Sequence, residues 1–315
     1  MRPVKRIAVL LLLVVRVIGG CSGSSGGEST TGTTESPPAS VLPGRYVEEL
    51  FSATTETKDV VYATAPDLRS GVMVPLTLDL FEPVGDESTE RPAIVWVHGG
   101  GFFQGSKRDI TTVAEAYARR GYVTVSIDYR LLPGNRCQDV QRKTLSAAEL
   151  AAAAAGCEHA MGAAQHDAQA AVRWMRATAT ALGVDPDRIA IAGFSAGAIT
   201  AVRVAQRSDD AGDVGAHPGV SSTVGAGLAA SGCNTDLNTI DSADAPIHLV
   251  ASEKDAAVFF SCVTTTEQRT RAVGGTVETL YFRGEGTHAL QLYNKHQAAV
   301  DAAWTGFLRS VLDLP

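Results

Sequence analysis

The decisive stretch of the sequence is Arg188-Ile-Ala-Ile-Ala-Gly-Phe-Ser-Ala-Gly-Ala-Ile199. The apolar run Ile189–Ala192 predicts a buried strand, and the Ala-rich run at the end of the stretch predicts the start of a helix. Between them lies the G-x-S-x-G pattern Gly193-Phe-Ser-Ala-Gly197, whose glycines leave room for a serine at a sharp turn. We therefore expect the hydroxyl of Ser195 to stand out of a sheet as a nucleophile, with the N–H of Ala196 beside it.

Apolar runs alternate with helical patterns along the rest of the chain. The predicted strands are Asp59–Ala63, Pro75–Phe81, Pro92–Val97, Tyr122–Ile127, Ile189–Ala192, Val224–Ala230, Ile247–Ala251 and Thr276–Phe282. The predicted helices are Ile110–Arg120, Gln165–Leu182, Cys262–Val273 and Gln297–Leu312, and residues 131–162 are interpreted as an insertion. This alternation predicts an α/β fold with a mostly parallel sheet of about eight strands, helices on both faces and a first pair of strands in a hairpin. The functional site is expected at the carboxyl ends of the strands.

A glycine-rich loop, His98-Gly-Gly-Gly101, follows the predicted strand Pro92–Val97 directly. Three consecutive glycines let the backbone approach a ligand closely and leave several N–H groups exposed. Such donors are what an oxyanion hole needs, because they meet the negative charge that develops on a carbonyl oxygen. An ordinary flexible turn is the alternative interpretation.

A serine nucleophile needs a base, and the base needs an acid to orient it. His288 is the favoured base because it follows the strand Thr276–Phe282, and Asp255 is the favoured acid because it follows the strand Ile247–Ala251. Glu253 is the second candidate for the acid. The order serine, acid, histidine along the chain is the order of the α/β-hydrolases.

The body of the chain, from Asp59 to Leu312, resembles the esterase and lipase group of the α/β-hydrolases, which includes the hormone-sensitive-lipase-like enzymes and the type-B carboxylesterases. The motifs that carry the resemblance are His98-Gly-Gly-Gly101, Asp128-Tyr-Arg130, Ala170-Ala-Val-Arg-Trp174, Gly183-Val-Asp-Pro-Asp-Arg-Ile189, Gly193–Gly197, Asp255 and His288. The resemblance implies the α/β-hydrolase fold, hydrolysis of small-molecule carboxylic esters, and an oxyanion hole made by the N–H groups of Gly100, Gly101 and Ala196. It also implies that Asp128–Arg130 and Asp167 brace loops near the site. Phe194 departs from the pattern, since the group usually carries an acidic residue there.

The same serine, histidine and aspartate would also suit an amidase, a peptidase or an acyltransferase, and a non-catalytic surface binding protein is a further alternative. Large apolar residues flank the motifs and are candidates for an acyl pocket or for ordinary core packing: Phe102, Phe103, Leu132, Phe259, Phe260 and Leu290. No cofactor is implied, and no C-x-x-C or H-E-x-x-H spacing predicts a metal site. A net charge of -7 without a basic block in the body argues against a nucleic-acid partner.

The first 20 residues are predicted to be a signal peptide rather than part of the fold. A basic start with Arg2, Lys5 and Arg6 precedes the apolar run Ile7–Val15. The sequence Ile18-Gly-Gly-Cys21 that follows resembles a bacterial lipobox, in which the cysteine is lipidated, although Arg16 is unusual just before it. The resemblance implies an extracytoplasmic protein attached to the cell membrane through Cys21, or a secreted one if the lipobox is not used.

A tether and a catalytic domain are predicted after the signal peptide. Residues 21–44 are rich in Gly, Ser, Thr and Pro, so they cannot bury a core and are expected to be disordered, and residues 45–315 are expected to form the domain. Four cysteines in that domain, an even number in an exported chain, favour disulfides. The preferred pairs are Cys137–Cys157 and Cys233–Cys262, each closing a local loop, with the two other pairings and free thiols left open.

Overall fold

An eight-stranded sheet organises the part of the chain that the computed structural model describes, which is residues 42–207, 210, 212 and 215–315. The predicted signal peptide, the lipobox with Cys21 and the tether up to residue 41 lie outside the described residues.

The strands are β1 (Thr54–Pro66), β2 (Met73–Pro83), β3 (Arg91–Val97), β4 (Val123–Ile127), β5 (Val184–Phe194), β6 (Ala226–Ala230), β7 (Ile247–Ser252) and β8 (Val277–Phe282). Their order in the sheet is β1-β2-β4-β3-β5-β6-β7-β8. β1 and β2 form an antiparallel hairpin and β2 pairs antiparallel with β4, whereas all later pairs are parallel. The predicted α/β class, the strand count and the hairpin are therefore confirmed.

Helices cover both faces of the sheet, as the sequence predicts. They are α1 (Thr111–Ala118), α2 (Cys137–Arg142), α3 (Ala147–Thr178), α4 (Ala196–Ala205), α5 (Phe260–Ala272), α6 (Ala289–Lys295) and α7 (Gln297–Val311). α3, α4 and α5 bury their apolar side chains in the hydrophobic core on one face, and α1, α6 and α7 do so on the other. β3, β4, β6 and β7 are buried along their whole length, which explains why their sequences are predominantly apolar.

The longest helix corrects one prediction. A helix beginning at Gln165 is wrong, because α3 begins at Ala147 and runs for 32 residues to Thr178. The Ala-rich half of the predicted insertion is therefore the N-terminal part of α3 and not a separate irregular segment. Ser146 caps this helix in a capping box with Glu149, and the alanines that follow have the highest intrinsic helix propensity. None of the helices in the described part of the chain has both the length and the apolar character needed to cross a bilayer.

Candidate active site

Ser195 stands at the junction of the central strand β5 and helix α4. Its backbone has a φ of 55°, a strained conformation for a residue with a side chain. A Cβ atom on Gly193 would lie 2.3 Å from the carbonyl oxygen of Gly197, and one on Gly197 would lie 2.1 Å from that of Val97. The two glycines of the motif are therefore required by the close packing of the turn, and the strained turn raises the serine above the sheet.

Three side chains from different strand ends meet at this turn. Asp255 follows β7 and His288 follows β8, and the parallel sheet brings both to the same edge as Ser195. His288 Nδ1 lies 2.7 Å from Asp255 Oδ2, and His288 Nε2 lies 2.7 Å from Ser195 Oγ. Because an ionised carboxylate can only accept a hydrogen bond, Nδ1 carries a proton and donates a hydrogen bond to Asp255. Nε2 is therefore unprotonated and can accept a hydrogen bond from the serine hydroxyl.

The carboxylate of Asp255 is held in its ionised form. Its side chain is buried, and its Oδ1 accepts the N–H groups of Ala257 at 2.8 Å and Val258 at 3.1 Å. Burial acts to raise the pKa of Asp255, but the hydrogen bond and charge of His288, with the Ala257 N–H and the Ser231 hydroxyl, lower it below the ordinary value. The alternative acid, Glu253, instead binds Arg283 and the N–H of Gly284.

The glycine loop after β3 packs directly against the serine turn. A Cβ atom on Gly99 would lie 3.0 Å from the carbonyl oxygen of Phe194. Gly100 has a φ of 114° and Gly101 a φ of 61°, and a Cβ on Gly100 would lie 2.0 Å from a backbone oxygen of Gln104. Only glycine fits this tight turn, which leads the loop past Ser195.

The backbone N–H of Ala196, the residue after the serine, is a further hydrogen-bond donor at the site. Ala196 is the first residue of α4, where backbone N–H groups have no partner within the helix, so its N–H is free to bind a negative charge. Of the predicted oxyanion residues, Gly100 and Gly101 line the same cavity as Ser195, and Ala196 follows Ser195 directly in the chain.

The residues that the resemblance assigns to loop bracing make such contacts. Tyr129 stacks on His98 with ring centroids 4.3 Å apart, and its hydroxyl donates to the carbonyl of His98 at 3.1 Å. Arg130 binds Asp167 through its Nε at 2.9 Å and its Nη2 at 2.8 Å. These contacts tie the glycine loop to the strand β4 and to the helix α3.

Phe194, the departure from the family pattern, belongs to an aromatic cluster under the serine turn. Its ring is stacked with Trp96 at 6.0 Å and packs against Tyr293 at 5.6 Å and Trp304 at 6.0 Å. The side chain is 1% exposed. An apolar ring at this position is explained by its burial between β5 and helices α6 and α7.

Two polar residues that the sequence interpretation missed also hold the site. Ser231, buried and with a φ of 55°, accepts the N–H of Ala289 at 2.9 Å, and its hydroxyl helps to lower the pKa of the Asp255 carboxyl. Glu285 accepts the N–H groups of Gly286 and Thr287, both at 3.0 Å. Ser231 could have been found, because it directly follows β6 at the same carboxyl edge of the sheet.

Two cavities lie beside the site. The first, about 620 Å³ and here called the serine cavity, is lined by residues that include Gly99–Gly101, Gln104, Asp109, Gln138, Ser195, His288 and Gln291. The second, about 640 Å³ and here called the disulfide cavity, is lined by residues that include Phe102, Cys137, Val140, Cys157, Met161, Ile199, Cys233, Leu237, Phe259 and Cys262. The predicted disulfides are confirmed, since Cys137 is bonded to Cys157 and Cys233 to Cys262.

The apolar candidates for an acyl pocket divide between these cavities. Phe102 and Phe259 line the disulfide cavity, and Phe103 and Leu290 line the serine cavity. Leu132 lines a smaller cavity of about 390 Å³, and Phe260 packs against Tyr281 with ring centroids 4.9 Å apart. Within the described part of the chain, no three His, Cys, Asp or Glu side chains are grouped closely enough to hold a metal ion.

Comparison with known proteins gives matches to two family models and to several curated proteins. Residues 78–142 match the family described as BD-FAE, and residues 154–272 match the family described as alpha/beta hydrolase fold. Esterase LipI of Mycobacterium tuberculosis is 35% identical over 132 residues, which are 41% of this chain and 33% of that protein. Carboxylesterase NlhH of the same species is 35% identical over 122 residues, 38% of this chain and 31% of that protein. The chain thus spans about a third of the length of these curated relatives.

Solved structures share the architecture over most of the chain. Thermogutta terrifontis esterase 2 with propionate bound has a TM-score of 0.63 at 21% identity, covering 80% of this chain and 93% of that one. The same esterase phosphorylated by paraoxon has a TM-score of 0.63 at 21% identity, covering 83% and 95%. The chain therefore has the α/β-hydrolase fold, and the resemblance to the esterase and lipase group that its motifs predict is confirmed.

Proposed function

We propose that the protein is a serine hydrolase that cleaves carboxylic esters of small molecules. The observation that carries the proposal is the hydrogen-bonded series Ser195, His288 and Asp255 at the carboxyl edge of the sheet. Relatives named esterase and carboxylesterase support the same reaction class.

The geometry suits a two-step acyl transfer. The Ser195 oxygen attacks the ester carbonyl while His288 Nε2 accepts the hydroxyl proton. His288 then gives that proton to the alcohol oxygen as the carbon–oxygen bond breaks, and the acyl group stays on Ser195. A water molecule repeats the cycle: it loses a proton to His288, attacks the acyl carbon, and the acid leaves as Ser195 regains its proton. Asp255 holds the imidazole and stabilises its protonated form.

The N–H groups of Gly100, Gly101 and Ala196 are proposed to hold the oxyanion of each tetrahedral intermediate. They are fixed before substrate arrives, because two belong to a tight glycine turn and one to the start of α4. Loss of one such donor costs about 3–4 kcal/mol of transition-state stabilisation in comparable hydrolases.

Hydrolysis of a short-chain aryl ester by Ser195→Ala tests the proposal. We expect kcat to fall by on the order of 10⁶, the scale seen when a serine nucleophile is removed. Ser52→Ala, at an exposed serine distant from Ser195 in the sequence, is the matched control and should retain full activity. Near-wild-type hydrolysis by Ser195→Ala would refute the assignment. Parallel assays with an anilide and with an added alcohol acceptor separate ester hydrolysis from amidase and acyltransferase activity.

We also propose that the protein is held at the outer face of the bacterial cell membrane by a lipid on Cys21. The proposal rests on the lipobox-like sequence Ile18–Cys21 and on the Gly/Ser/Thr/Pro-rich composition after it. Membrane fractions should contain the wild-type chain and the control Ser22→Ala, but not Cys21→Ala. Equal membrane recovery of Cys21→Ala would contradict the anchor.

A further inference from the structure

The two cavities beside Ser195 differ in chemistry and share a wall. Gly101 lines the serine cavity and the next residue, Phe102, lines the disulfide cavity. Gln138 and its neighbour Cys137 are divided between the two cavities in the same way. The two cavities therefore adjoin at these residues, and the disulfide cavity lies next to the cavity that holds Ser195 and His288.

Polarity distinguishes the two spaces. The serine cavity is lined by the polar residues Gln104, Asp109, Gln138 and Gln291, by the glycine loop, and by a few apolar residues that include Phe103 and Leu290. The disulfide cavity presents mainly apolar groups, which include Val140, Met161, Ile199, Leu237 and Phe259. At about 640 Å³ it has the size of a small-molecule binding site.

The position of His288 decides which substituent enters which cavity. The leaving alcohol oxygen must take its proton from His288 Nε2, so the alcohol lies on the side of His288. His288 lines the serine cavity together with its neighbours Ala289 and Leu290. The alcohol is thereby placed in the polar space, and the acyl group is left to extend past Phe102 towards Ile199, one turn beyond Ser195 in α4.

We propose that the disulfide cavity is the acyl-binding site and selects esters of a polar alcohol with an apolar acyl group larger than butyryl. The assignment rests on the proposed hydrolase function. Apolar side chains around the acyl group supply its binding energy, and the glutamines of the serine cavity supply hydrogen-bond partners for a hydroxyl-bearing alcohol.

The disulfides give this cavity fixed walls. Cys137–Cys157 bonds α2 to α3, and Cys233–Cys262 bonds the loop after β6 to α5, with all four cysteines on the cavity surface. α2 has no fully buried residue of its own, so the covalent bond reinforces the partial packing of Cys137 in fixing its distance from α3. A wall held in this way does not have to be ordered by the ligand, which improves binding of the acyl group.

A substrate series tests the assignment. We expect kcat/KM for glycerol monooctanoate to exceed that for glycerol monoacetate by at least roughly tenfold, since more apolar surface is buried. It should also exceed kcat/KM for octyl acetate, which places the apolar group on the alcohol side. Ile199→Trp, which fills the cavity, should lower the octanoyl-to-acetyl ratio by at least roughly tenfold. Leu237→Trp fills it from the opposite wall and should act in the same direction.

The controls separate this assignment from the hydrolase function. Val61→Trp, at a position 54% exposed on β1, should leave the ratio at its wild-type value. An octanoyl-to-acetyl ratio of one or less, or a ratio unchanged by both filling variants, overturns the acyl assignment while hydrolysis of the acetate shows that the catalytic function stands. Failure to hydrolyse any ester, with no fluorophosphonate adduct on Ser195, overturns the hydrolase function and the acyl assignment together.

Discussion

The aromatic cluster beneath Ser195 and the wall that α2 and α3 form in the disulfide cavity are stabilised in different ways. Under the serine, Phe194 and its aromatic neighbours are fully packed between the sheet and the helices α6 and α7. In the wall, α2 buries none of its residues, and Cys157 is the first buried residue of α3. Packing positions the nucleophile, whereas a disulfide positions the wall of the cavity, so the catalytic geometry and the cavity shape can be disturbed separately.

The largest expected effect comes from breaking the packed region. Phe194→Ala leaves a space between Trp96, Tyr293 and Trp304 and should destabilise the protein by about 3–5 kcal/mol. Activity should fall as well, because the strained turn at Ser195 rests on this ring. Urea unfolding followed by tryptophan fluorescence measures the change; a loss under about 1 kcal/mol would show that packing does not support the turn.

Removal of the wall's covalent link should have a smaller and more local effect. The double variant Cys137→Ser/Cys157→Ser opens a loop with a sequence separation of 20 and should lower the free energy of local opening of that segment by about 3 kcal/mol. Amide hydrogen exchange should accelerate in α2 and the first turns of α3, while β3 and β5 keep their protection. Uniform acceleration throughout the sheet would mean that the wall and the core form one cooperative unit.

The pH dependence of the unfolding free energy tests how tightly the sheet is packed around His248. His248, inside β7 and 2% exposed, has its pKa lowered to about 4 by burial. Since the unfolded chain binds the proton near the ordinary value of 6.5, this residue makes the folded state lose stability as the pH falls below 6.5. The loss from pH 7 to pH 5 should be about 2 kcal/mol smaller in His248→Leu than in the wild type. If urea unfolding shows that His248→Leu and the wild type lose the same unfolding free energy between pH 7 and pH 5, this prediction is contradicted.

The smallest expected effect concerns Ser231. Replacement by Ala removes the hydrogen bond to the N–H of Ala289, beside His288, and the hydroxyl that helps to lower the pKa of Asp255, which should lower kcat by roughly tenfold, about 1–2 kcal/mol. Ser231→Gly relieves the positive φ but also lacks the hydroxyl, so it should be more stable than Ser231→Ala and equally slow. Wild-type kcat in Ser231→Gly would assign the effect to backbone strain instead of the hydroxyl.

The positions of the three catalytic candidates could be predicted from the sequence, because the signals that place them at strand ends are local. Ser195, Asp255 and His288 each follow a strand that contains a recognisable apolar run, and the parallel sheet brings the ends of these strands to one edge. The disulfide pairs could also be predicted from the sequence, because each closes a loop of modest length, with sequence separations of 20 and 29.

Other features depend on distant contacts or on weak signals. The start of α3 was misplaced because a run of alanines has little periodic contrast between faces, so the helix signal begins only where larger residues appear. Ser231 carries no motif of its own, and its role arises from the hydrogen bond with Ala289, which is far away in the sequence. The division of the two cavities by Gly101 and Phe102 likewise requires the folded chain.

Labelling with a fluorophosphonate, followed by peptide mass spectrometry, tests most directly whether Ser195 is an activated nucleophile. We expect one adduct, on the peptide that contains Ser195, formed rapidly in the wild type, strongly slowed in His288→Gln and absent in Ser195→Ala. An unlabelled Ser195 in the folded protein, or an adduct that persists in Ser195→Ala, would contradict the assignment of Ser195 as the nucleophile.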